Sequence, residues 1–212
     1  MAEPVPQRTV GRISLYRRLL SRFREDNASH VFSHQLARAA GVTPAQVRRD
    51  LMSIGYSGSP ARGYDLEGLA AGIAQFLDSP VPEPAALIGV GNLGRAILAY
   101  FEGRRPNLAI VAAFDRDKSK TGRAIHGCRC YPVGQLARVM RQRRIGIAVL
   151  AVPAEEGQGV ADRLVKAGVR GILNFAPVHL RVPAGVYVED VDITTSLEKV
   201  AFFARRSAPA RA

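Results

Sequence analysis

The chain has 212 residues, enough for one large domain or two small ones, and its hydrophobic content of 47% is ordinary for a globular protein. No stretch approaches the roughly 20 apolar residues of a membrane helix and residues 1–12 lack the apolar region of a secretory signal, which indicates a cytoplasmic protein without membrane contact. The net charge of +12 favours an anionic partner such as nucleic acid or a nucleotide, although residues 1–78 carry only +3 and residues 79–212 carry +9.

Residues 12–56 show the apolar spacing of three helices, the last two of which form a predicted helix-turn-helix. The first helix repeats apolar side chains along one face, at Ile13, Tyr16, Leu19, Leu20 and Phe23. The second is predicted over residues 34–40, with Ser33 as its N-cap. Gly41 follows its end, where glycine is favoured.

The third helix has the features of one that reads DNA. Thr43 is its predicted cap, Pro44 suits the first turn, and Gln46 completes a capping box with Thr43. An inward face is predicted at Val47, Leu51 and Ile54. Arginine can bond guanine and glutamine can bond adenine in the major groove. The predicted reading residues are Thr43, Ala45, Gln46, Arg48 and Arg49. The alternative is a solvated charged face.

A glycine-rich loop follows over residues 55–64. Its one basic residue, Arg62, is placed to reach a phosphate or the minor groove if the loop is the wing of a winged helix. An ordinary surface loop would have the same composition, so both readings stay open. Asp65 is the predicted cap of another amphipathic helix, residues 66–77.

Three prolines in residues 78–84 predict a stiff extended linker. Beyond it, short β-rich runs alternate with helical stretches, which indicates a parallel sheet with crossover helices. The predicted strands are residues 85–89, 108–114, 128–131, 145–152, 171–175 and 186–191. The predicted helices are residues 92–101, 133–143 and 156–167. The fold class is therefore α/β, with a winged helix-turn-helix before a Rossmann-like doubly wound sheet.

Glycines at 89, 91 and 94 break the apolar run of the first strand just before a predicted helix. In a dinucleotide-binding turn, Gly89 makes the turn, Gly91 lets the backbone approach the pyrophosphate, and Gly94 lets the helix pack closely. The anion then lies at the positive end of the helix dipole. Asp115 follows Gly94 by 21 residues, where an acid that binds the ribose is expected. The alternative is a glycine turn without a ligand.

Cys128 and Cys130 are the only cysteines, which favours a reducing compartment. Because they lie in a strand-like run, we expect their thiols to point to opposite faces. No metal site is predicted.

A helix-turn-helix before a dinucleotide cradle resembles the Rex family of bacterial redox-sensing transcriptional repressors. The matching stretches are Arg-Arg-Asp-Leu at 48–51, Gly-Val-Gly-Asn-Leu-Gly-Arg-Ala at 89–96, Val-Ala-Ala-Phe-Asp at 111–115, Val-Pro-Ala-Glu at 152–155, Gly-Ile-Leu-Asn-Phe-Ala-Pro-Val at 171–178 and Val-Asp at 191–192. The resemblance implies a homodimer that binds a pseudo-palindromic operator and releases it when NADH, rather than NAD⁺, is bound. The implied cofactor site comprises Gly89, Val90, Gly91, Asn92, Leu93, Gly94, Asp115 and Pro153.

The resemblance also implies a domain organisation. Residues 1–78 form the DNA-binding domain, 79–84 the linker, 85–192 the NAD(H)-binding domain, and 193–212 a C-terminal dimerisation helix and tail. The helix, over residues 195–204, exchanges between subunits in the family. Thr195 and Glu198 make its predicted capping box, and its apolar stripe is Leu197, Val200, Ala201 and Ala204. Packing on its own sheet is the alternative.

Three residues match those that couple ligand state to domain position in the family: Arg18, Tyr100 and Asp192. Arg17 beside Arg18 leaves the register open, and each residue taken singly reads as an ordinary surface or core-edge residue. The wing begins with Ser59-Pro60 where basic residues are frequent in the family, and Ile193 follows Asp192 where some members have an aromatic residue.

The reduced nicotinamide ring is neutral and the oxidised ring is cationic, so a largely apolar pocket would penalise NAD⁺. This differential affinity would shift the dimer to a form that cannot grip DNA, through a hinge at the linker. Asp115 favours NADH over NADPH, although Arg116 and Lys118 lie nearby.

Two rival functions remain. An NAD-dependent oxidoreductase would need a substrate domain, for which little chain is left, and the histidines at 30, 34, 126 and 179 have no acid or Ser/Tyr/Lys partner at a suggestive spacing. The other rival is a CoA- or nucleotide-binding domain with an unrelated helical appendage. We therefore expect no enzymatic activity.

Overall fold

The computed structural model describes residues 5–59, 61–104 and 106–207, and the chain divides into two compact units, Met1–Pro80 and Val81–Ala212. The elements of the first unit are α1 (Gln7–Glu25), β1 (His30–Val31), α2 (Ser33–Ala40), α3 (Pro44–Ser53), β2 (Tyr64–Asp65) and α4 (Leu66–Leu77). Strands β1 and β2 pair antiparallel, so a small two-stranded sheet accompanies the four helices. This is a winged helix-turn-helix.

One apolar core holds the first unit together, and all four helices contribute to it. Its fully buried members include Ile13, Tyr16, Leu36, Val47, Leu51, Leu69 and Ile73. The predicted inward face of α3 is confirmed, since Val47 and Leu51 are buried and Ile54 packs against the same cluster. The sequence pattern did not predict that Asp50, between them, is also buried.

The second unit is a seven-stranded sheet with helices. Its elements are β3 (Ala85–Ile88), α5 (Asn92–Phe101), β4 (Ile110–Asp115), β5 (Ala124–Ile125), β6 (Cys128–Pro132), α6 (Leu136–Gln142), β7 (Ile147–Leu150), α7 (Ala154–Lys166), β8 (Gly171–Asn174), β9 (Tyr187–Asp190) and α8 (Ile193–Ser207). The strand order is β5-β6-β4-β3-β7-β8-β9, and all neighbours are parallel except the β5–β6 pair.

The chain reverses its direction of travel across this sheet at β3. It passes from β3 through β4 to β6 on one side, then returns to β7, β8 and β9 on the other. In doubly wound sheets, ligands bind beyond the carboxyl ends of the strands at such a switch point. The predicted fold class is confirmed, and the topology places a binding site at the turn after β3.

Several local expectations were wrong. The N-cap of α2 is Phe32, and Ser33 is already helical. Strand β7 is shorter than predicted because Ile145 closes the turn after α6, its N–H donating to the Met140 carbonyl at 2.9 Å. Helix α8 begins before Thr195, since the Asp192 carboxylate accepts the Thr195 N–H at 2.9 Å, so the predicted capping box is absent.

The expectation for the cysteines was also wrong. Residues two apart on a strand share a face, and both thiols are buried in the same apolar cluster of β6. Burial raises the pKa of Cys128 to about 11, which disfavours the thiolate that a metal would need. Among the described residues, no three His, Cys, Asp or Glu side chains are grouped to hold a metal ion. Within the same ranges, no helix is both long and apolar enough to cross a membrane.

Candidate nucleic-acid interface and dinucleotide cleft

The turn after β3 has the geometry of a cradle for a phosphate group. Gly89 has a φ of +92°, and a Cβ there would lie 2.2 Å from the Ala151 carbonyl oxygen. A Cβ on Gly94 would lie 2.0 Å from the Gly89 carbonyl oxygen, so α5 approaches the turn only because this residue is glycine. By contrast, a Cβ on Gly91 would meet no atom within 4 Å. Two glycines are thus required by protein packing, while the middle one faces open space.

Helix α5 starts at this open position. Its N-cap is Gly91, which offers no side-chain cap, and the exposed residues Asn92 and Leu93 form the first turn. The first N–H groups of a helix have no partner within the helix, so this turn can accept an anion. Val90 is fully buried in the apolar cluster that contains Leu87 and Leu98, which anchors the turn to the core. The residues present therefore fit a pyrophosphate.

Asp115, at the end of β4, holds the turn in place. Its carboxylate accepts the Val90 N–H at 2.8 Å, the Asp117 N–H at 2.8 Å and the Lys120 Nζ at 3.2 Å. Burial alone would raise the pKa of Asp115, but these donors lower it below its usual value. The predicted ribose-binding acid is thus an ionised group that also anchors the glycine turn.

A cleft of about 620 Å³ opens beside the turn. Gly89, Gly91, Asp115 and Pro153, all predicted to bind the cofactor, line it. The other lining residues are six apolar side chains, Ile88, Phe114, Val133, Ala151, Val152 and Val160, together with Gly159 and the charged Arg116, Lys120, Glu155, Glu156 and Arg163. Its rim carries an ion pair between Arg116 and Glu156, at 2.5 Å, which the sequence pattern did not predict.

On the first unit, the start of α3 presents polar side chains to solvent. The Thr43 hydroxyl accepts the Gln46 N–H at 3.2 Å, which confirms the cap. Ala45, Arg48 and Arg49 are exposed. Arg48 donates to Ser33 at 3.2 Å and Arg49 to Gln46 at 2.8 Å, both neutral acceptors, so the two guanidinium charges stay available.

Gln46 does not complete the predicted capping box. Its Nε2 donates instead to the Asp50 carboxylate at 2.8 Å. That carboxylate also receives two bonds from Arg12, at 2.6 and 2.7 Å, and one from the Tyr16 hydroxyl at 2.8 Å. Asp50 is therefore a buried hub that ties α3 to α1. Sequence reasoning missed it because its main partners lie 34 and 38 residues away.

The electrostatics of this hub are those of a paired buried acid. Burial alone would raise the pKa of Asp50, but hydrogen bonds from Arg12, Gln46 and Tyr16 lower it overall. Burial, followed by the bond to Asp50, raises the pKa of Tyr16. The carboxylate is ionised and the phenol is neutral, which fixes the orientation of α3 relative to α1.

The loop before β2 folds back on itself. Ser59 and Gly63 exchange two backbone hydrogen bonds, at 2.9 and 2.7 Å. Arg62 lies in the turn between them and is exposed. Pro60, singled out as atypical, lies outside the described residues. A short hairpin with an exposed arginine supports the interpretation of this loop as a wing.

The three predicted coupling residues lie on separate elements. Arg17 forms an ion pair with Asp78 at 2.6 Å, whereas Arg18 is exposed. Of the two neighbouring arginines, Arg18 is therefore the better candidate for the coupling residue. Tyr100 on α5 is 60% exposed, and the Arg104 guanidinium stacks 4.5 Å from its ring. Asp192 caps α8, and bonds from Thr195 lower its pKa. No described hydrogen bond or ring contact joins Tyr100 to Asp192 within one chain.

Helix α8 is largely exposed in the described part of this chain: every residue from 193 to 206 is exposed except Thr195, which is half-buried. Its large exposed hydrophobic residues are Ile193, Leu197, Val200, Phe202 and Phe203. A helix with apolar residues on several sides is normally covered. The alternative, packing on its own sheet, is not what the structure shows.

A second cleft, of about 450 Å³, lies where β8 and β9 end. The buried Asn174 side chain donates to Asp190 at 2.7 Å, and His179 Nδ1 lies 3.1 Å from the same carboxylate. Asp192 and Thr194 also line it. His179 thus has an acidic partner that its sequence spacing did not indicate.

Two family models match the chain. One, described as a CoA binding domain, matches residues 82–178, and the other, described as a putative DNA-binding protein N-terminus, matches residues 4–51. The chain is 40% identical over 202 residues to the redox-sensing transcriptional repressor Rex of Carboxydothermus hydrogenoformans, covering 95% of this chain and 97% of that protein. It is 42% identical over 193 residues to the protein of the same name from Rhodopirellula baltica, covering 91% and 81%.

Solved structures are similar over nearly the whole length. RSP, a Rex-family repressor, superposes with a TM-score of 0.87 at 30% identity, covering 95% of both chains. RSP in complex with β-NAD⁺ and operator DNA gives 0.88 at 30% identity, covering 96% of this chain and 94% of that one. RSP in complex with β-NADH gives 0.85 at 29% identity, covering 95% of both.

Proposed function

The chain belongs to the Rex family of redox-sensing transcriptional repressors, and on that premise we propose that it binds an operator through α3 and the wing and releases it when NADH occupies the glycine turn. It is a DNA-binding regulator rather than an enzyme. The observation that best supports cofactor binding is the glycine turn, in which Gly89 and Gly94 are packed against backbone while Gly91 faces open space. RSP provides a precedent, since its structures hold β-NAD⁺ with operator DNA, or β-NADH.

Residues at the switch point of the sheet would hold the cofactor. The glycine turn and the start of α5, from Gly89 to Gly94, would hold the pyrophosphate. Asp115, on the β4 side, would accept from the ribose hydroxyls and would repel a 2′-phosphate, which favours NADH over NADPH. Arg116 is paired with Glu156, so its charge opposes this preference less than the sequence implies, whereas Lys118 is exposed and forms no ion pair among the described residues.

The residues at the ends of β7 and β8 would then surround the nicotinamide ring. The chain is apolar there, at Ala151, Val152, Pro153, Phe175 and Ala176. Such surroundings disfavour a cationic ring more than a neutral one, because an unpaired charge loses its hydration. This difference in affinity is sufficient for NADH and NAD⁺ to bias one equilibrium in opposite directions.

The DNA is read by the exposed start of α3. Arg48 and Arg49, together with Thr43, Ala45 and Gln46, are positioned for base edges and phosphates, and Arg62 for the wing contact. Gln46 must leave the Asp50 carboxylate to contact a base, so its reading role carries a cost that the arginines do not have. Pro60 and Ser59 supply no charge to the wing.

A homodimer is the expected assembly, and it acts in the cytoplasm. The uncovered apolar surface of α8 supports exchange of this helix between subunits. A pseudo-palindromic operator then receives two copies of α3, which must be about 34–36 Å apart to enter successive major grooves. Arg18, Tyr100 and Asp192 are the residues proposed to couple the cofactor to this spacing.

Fluorescence polarisation of a labelled palindromic AT-rich duplex tests the proposal. We expect the duplex to be bound in the presence of NAD⁺ and released by NADH, with CoA as a matched nucleotide control that has no effect. The Arg48→Ala/Arg49→Ala variant should lose the duplex but still bind NADH. Operator binding that saturating NADH leaves unchanged, or release by CoA, would contradict the proposal.

A further inference from the structure

The positive charge of this chain is concentrated in a segment that neither the operator contacts nor the cofactor cleft accounts for. Residues 118–154 contain no Asp or Glu. Their eight basic residues are Lys118, Lys120, Arg123, Arg129, Arg138, Arg141, Arg143 and Arg144. By comparison, the whole DNA-reading segment, residues 1–78, carries a net charge of only +3.

The six arginines among these residues form a surface that we call the basic edge. Its members lie on β5, β6 and α6 or beside them, at the end of the sheet where β5 is the edge strand: Arg123, Arg129, Arg138, Arg141, Arg143 and Arg144. All six are exposed, and none forms an ion pair with a carboxylate of the described residues. Lys120 is different, because Asp115 and Asp117 neutralise it.

Two members of the basic edge converge on one tyrosine. The guanidinium of Arg129 lies 5.7 Å from the Tyr131 ring centre, and that of Arg143 lies 5.9 Å from it. Arg143 donates to the Val111 carbonyl at 3.0 Å and to the Tyr131 hydroxyl at 3.1 Å. These partners are uncharged, so both positive charges persist. A guanidinium has five N–H donors, which leaves several free for another partner.

Folding alone does not explain this concentration of charge. Arg138 and Arg141 are three residues apart on α6, and like charges at that spacing destabilise a helix. Arg141 gains from the helix dipole at the last turn, whereas Arg138 donates to the uncharged Gln135 side chain at 2.7 Å, which does not neutralise it. Unrelieved repulsion of this kind is reduced when a polyanion binds.

We propose that the basic edge binds the phosphate backbone of double-stranded DNA without reading its sequence, in addition to the operator contacts of α3. Arginine suits this partner because its planar fork bonds phosphate oxygens in pairs. Duplex DNA presents roughly one negative charge per 1.7 Å of its axis, a density that a row of unpaired arginines complements. The inference rests on the proposed function in so far as the protein is a DNA-binding regulator.

The test compares two triple variants of the full chain on a non-operator duplex longer than the operator. The first is Arg138→Gln/Arg141→Gln/Arg144→Gln. The matched control, Lys166→Gln/Arg170→Gln/Arg181→Gln, removes the same charge from exposed positions of the same unit. Association constants are measured by polarisation between roughly 50 and 200 mM salt, where each lost phosphate contact reduces the slope of log K against log salt by about 0.9.

We expect the first variant to lose up to about 3 from this slope per bound subunit and the control to lose less than about 1 per bound subunit. A third variant with lysine at the same three positions should keep the wild-type slope, because counterion release depends on charge. Equal slopes for the two glutamine variants would overturn the proposal. Capture of polyglutamate by the wild type but not by the first variant, with equal DNA slopes, would overturn it in favour of an acidic protein partner.

Failure of the proposed function would be visible separately. Operator binding and its release by NADH are measured on the same preparations, and they report α3 and the glycine turn. Wild-type protein that binds non-operator DNA through the basic edge but ignores NADH would refute the sensor and leave this inference standing.

Discussion

Each of the two units uses a buried carboxylate to hold its functional element, but the two carboxylates have different kinds of partner. Asp50 fixes α3 through side chains, namely Arg12, Tyr16 and Gln46. Asp115 fixes the glycine turn mainly through backbone N–H groups of Val90 and Asp117, and the Lys120 ammonium is its charged partner. The first arrangement joins residues 34 and 38 positions apart, whereas the second joins the ends of the neighbouring parallel strands β3 and β4, with partners 2 to 25 residues from Asp115.

This difference predicts different consequences when each acid is removed. Without Asp50, the Arg12 charge, with a side chain only 24% exposed, is left without its partner and α3 loses its tie to α1. Without Asp115, the N–H groups of Val90 and Asp117 and the Lys120 ammonium lose their acceptor beside the cleft, so the effect is local to the glycine turn. Removal of Asp50 should therefore destabilise the packing of α3 on α1, whereas removal of Asp115 should disorder only the glycine turn.

The largest expected effect is that of Asp50→Ala. Removing one partner of a buried ion pair costs about 3–5 kcal/mol. We expect hydrogen exchange of the α3 peptide to lose a corresponding amount of protection, with operator binding lost and NADH affinity retained. Asp26→Ala, an exposed acid at the end of α1, is the control. Loss of protection by less than about 1 kcal/mol would show that Asp50 is not the main tie.

Gly94→Ala tests the second unit. The new Cβ would lie 2.0 Å from the Gly89 carbonyl oxygen, so α5 must move away from the turn. Overpacking of this kind costs about 1–3 kcal/mol, so NADH should bind roughly fivefold to 150-fold more weakly while α3 keeps its protection. Gly134→Ala, where a Cβ meets no atom within 4 Å, is the control. Both are measured by NADH fluorescence titration, and unchanged affinity in Gly94→Ala would exclude the cradle.

A smaller effect is expected from Asp115→Asn. The amide keeps the shape but loses the charge, which weakens the bonds to Val90 and to the ribose by about 1.5 kcal/mol, close to tenfold in NADH affinity. The ratio of NADPH to NADH affinity should rise because the repulsion of a 2′-phosphate is removed. Isothermal titration with both cofactors measures this. An unchanged ratio would mean that Asp115 only supports the turn.

The smallest effect is a pH dependence of the first unit. The pKa of Asp50 is lowered on folding, so its contribution is present above the unfolded value of about 3.9 and is lost as the pH falls through the lower folded value. We expect α3 protection to be independent of this group from pH 7 to about 5 and to decline below about 4. The Asp50→Asn variant should show a flatter acid dependence, and an identical curve would assign the decline to other carboxylates.

Much of the fold followed from local pattern. The period of apolar residues, the capping Thr43 and Asp65, and the glycines at 89, 91 and 94 each depend on neighbours in sequence, and the structure agrees with them. The predicted bounds of helix α5 agree with the structure at both ends, and its start is fixed by the glycine turn that precedes it.

What the pattern did not reveal are contacts between distant residues. The Asp50 hub, the pairing of His179 with Asp190 and the ion pair of Arg116 with Glu156 join elements that only the tertiary fold brings together. The sequence predicts Gln46 in a local capping box, but its side-chain amide donates instead to the Asp50 carboxylate one turn later, because a charged acceptor forms the stronger hydrogen bond. The shared face of Cys128 and Cys130 could have been predicted from the sequence, since residues two apart on a strand point to the same side.

In the proposed mechanism, NADH changes the spacing of the two reading helices in a dimer. Spin labels at Met52→Cys, an exposed position on α3, allow this distance to be measured by pulsed electron resonance. The buried thiols Cys128 and Cys130 have raised pKa values, so they should remain unlabelled at neutral pH. We expect one distance distribution with NAD⁺ and operator, in keeping with helices about 34–36 Å apart, and a distribution displaced by several ångströms with NADH. Identical distributions with saturating NADH and NAD⁺ would contradict the account.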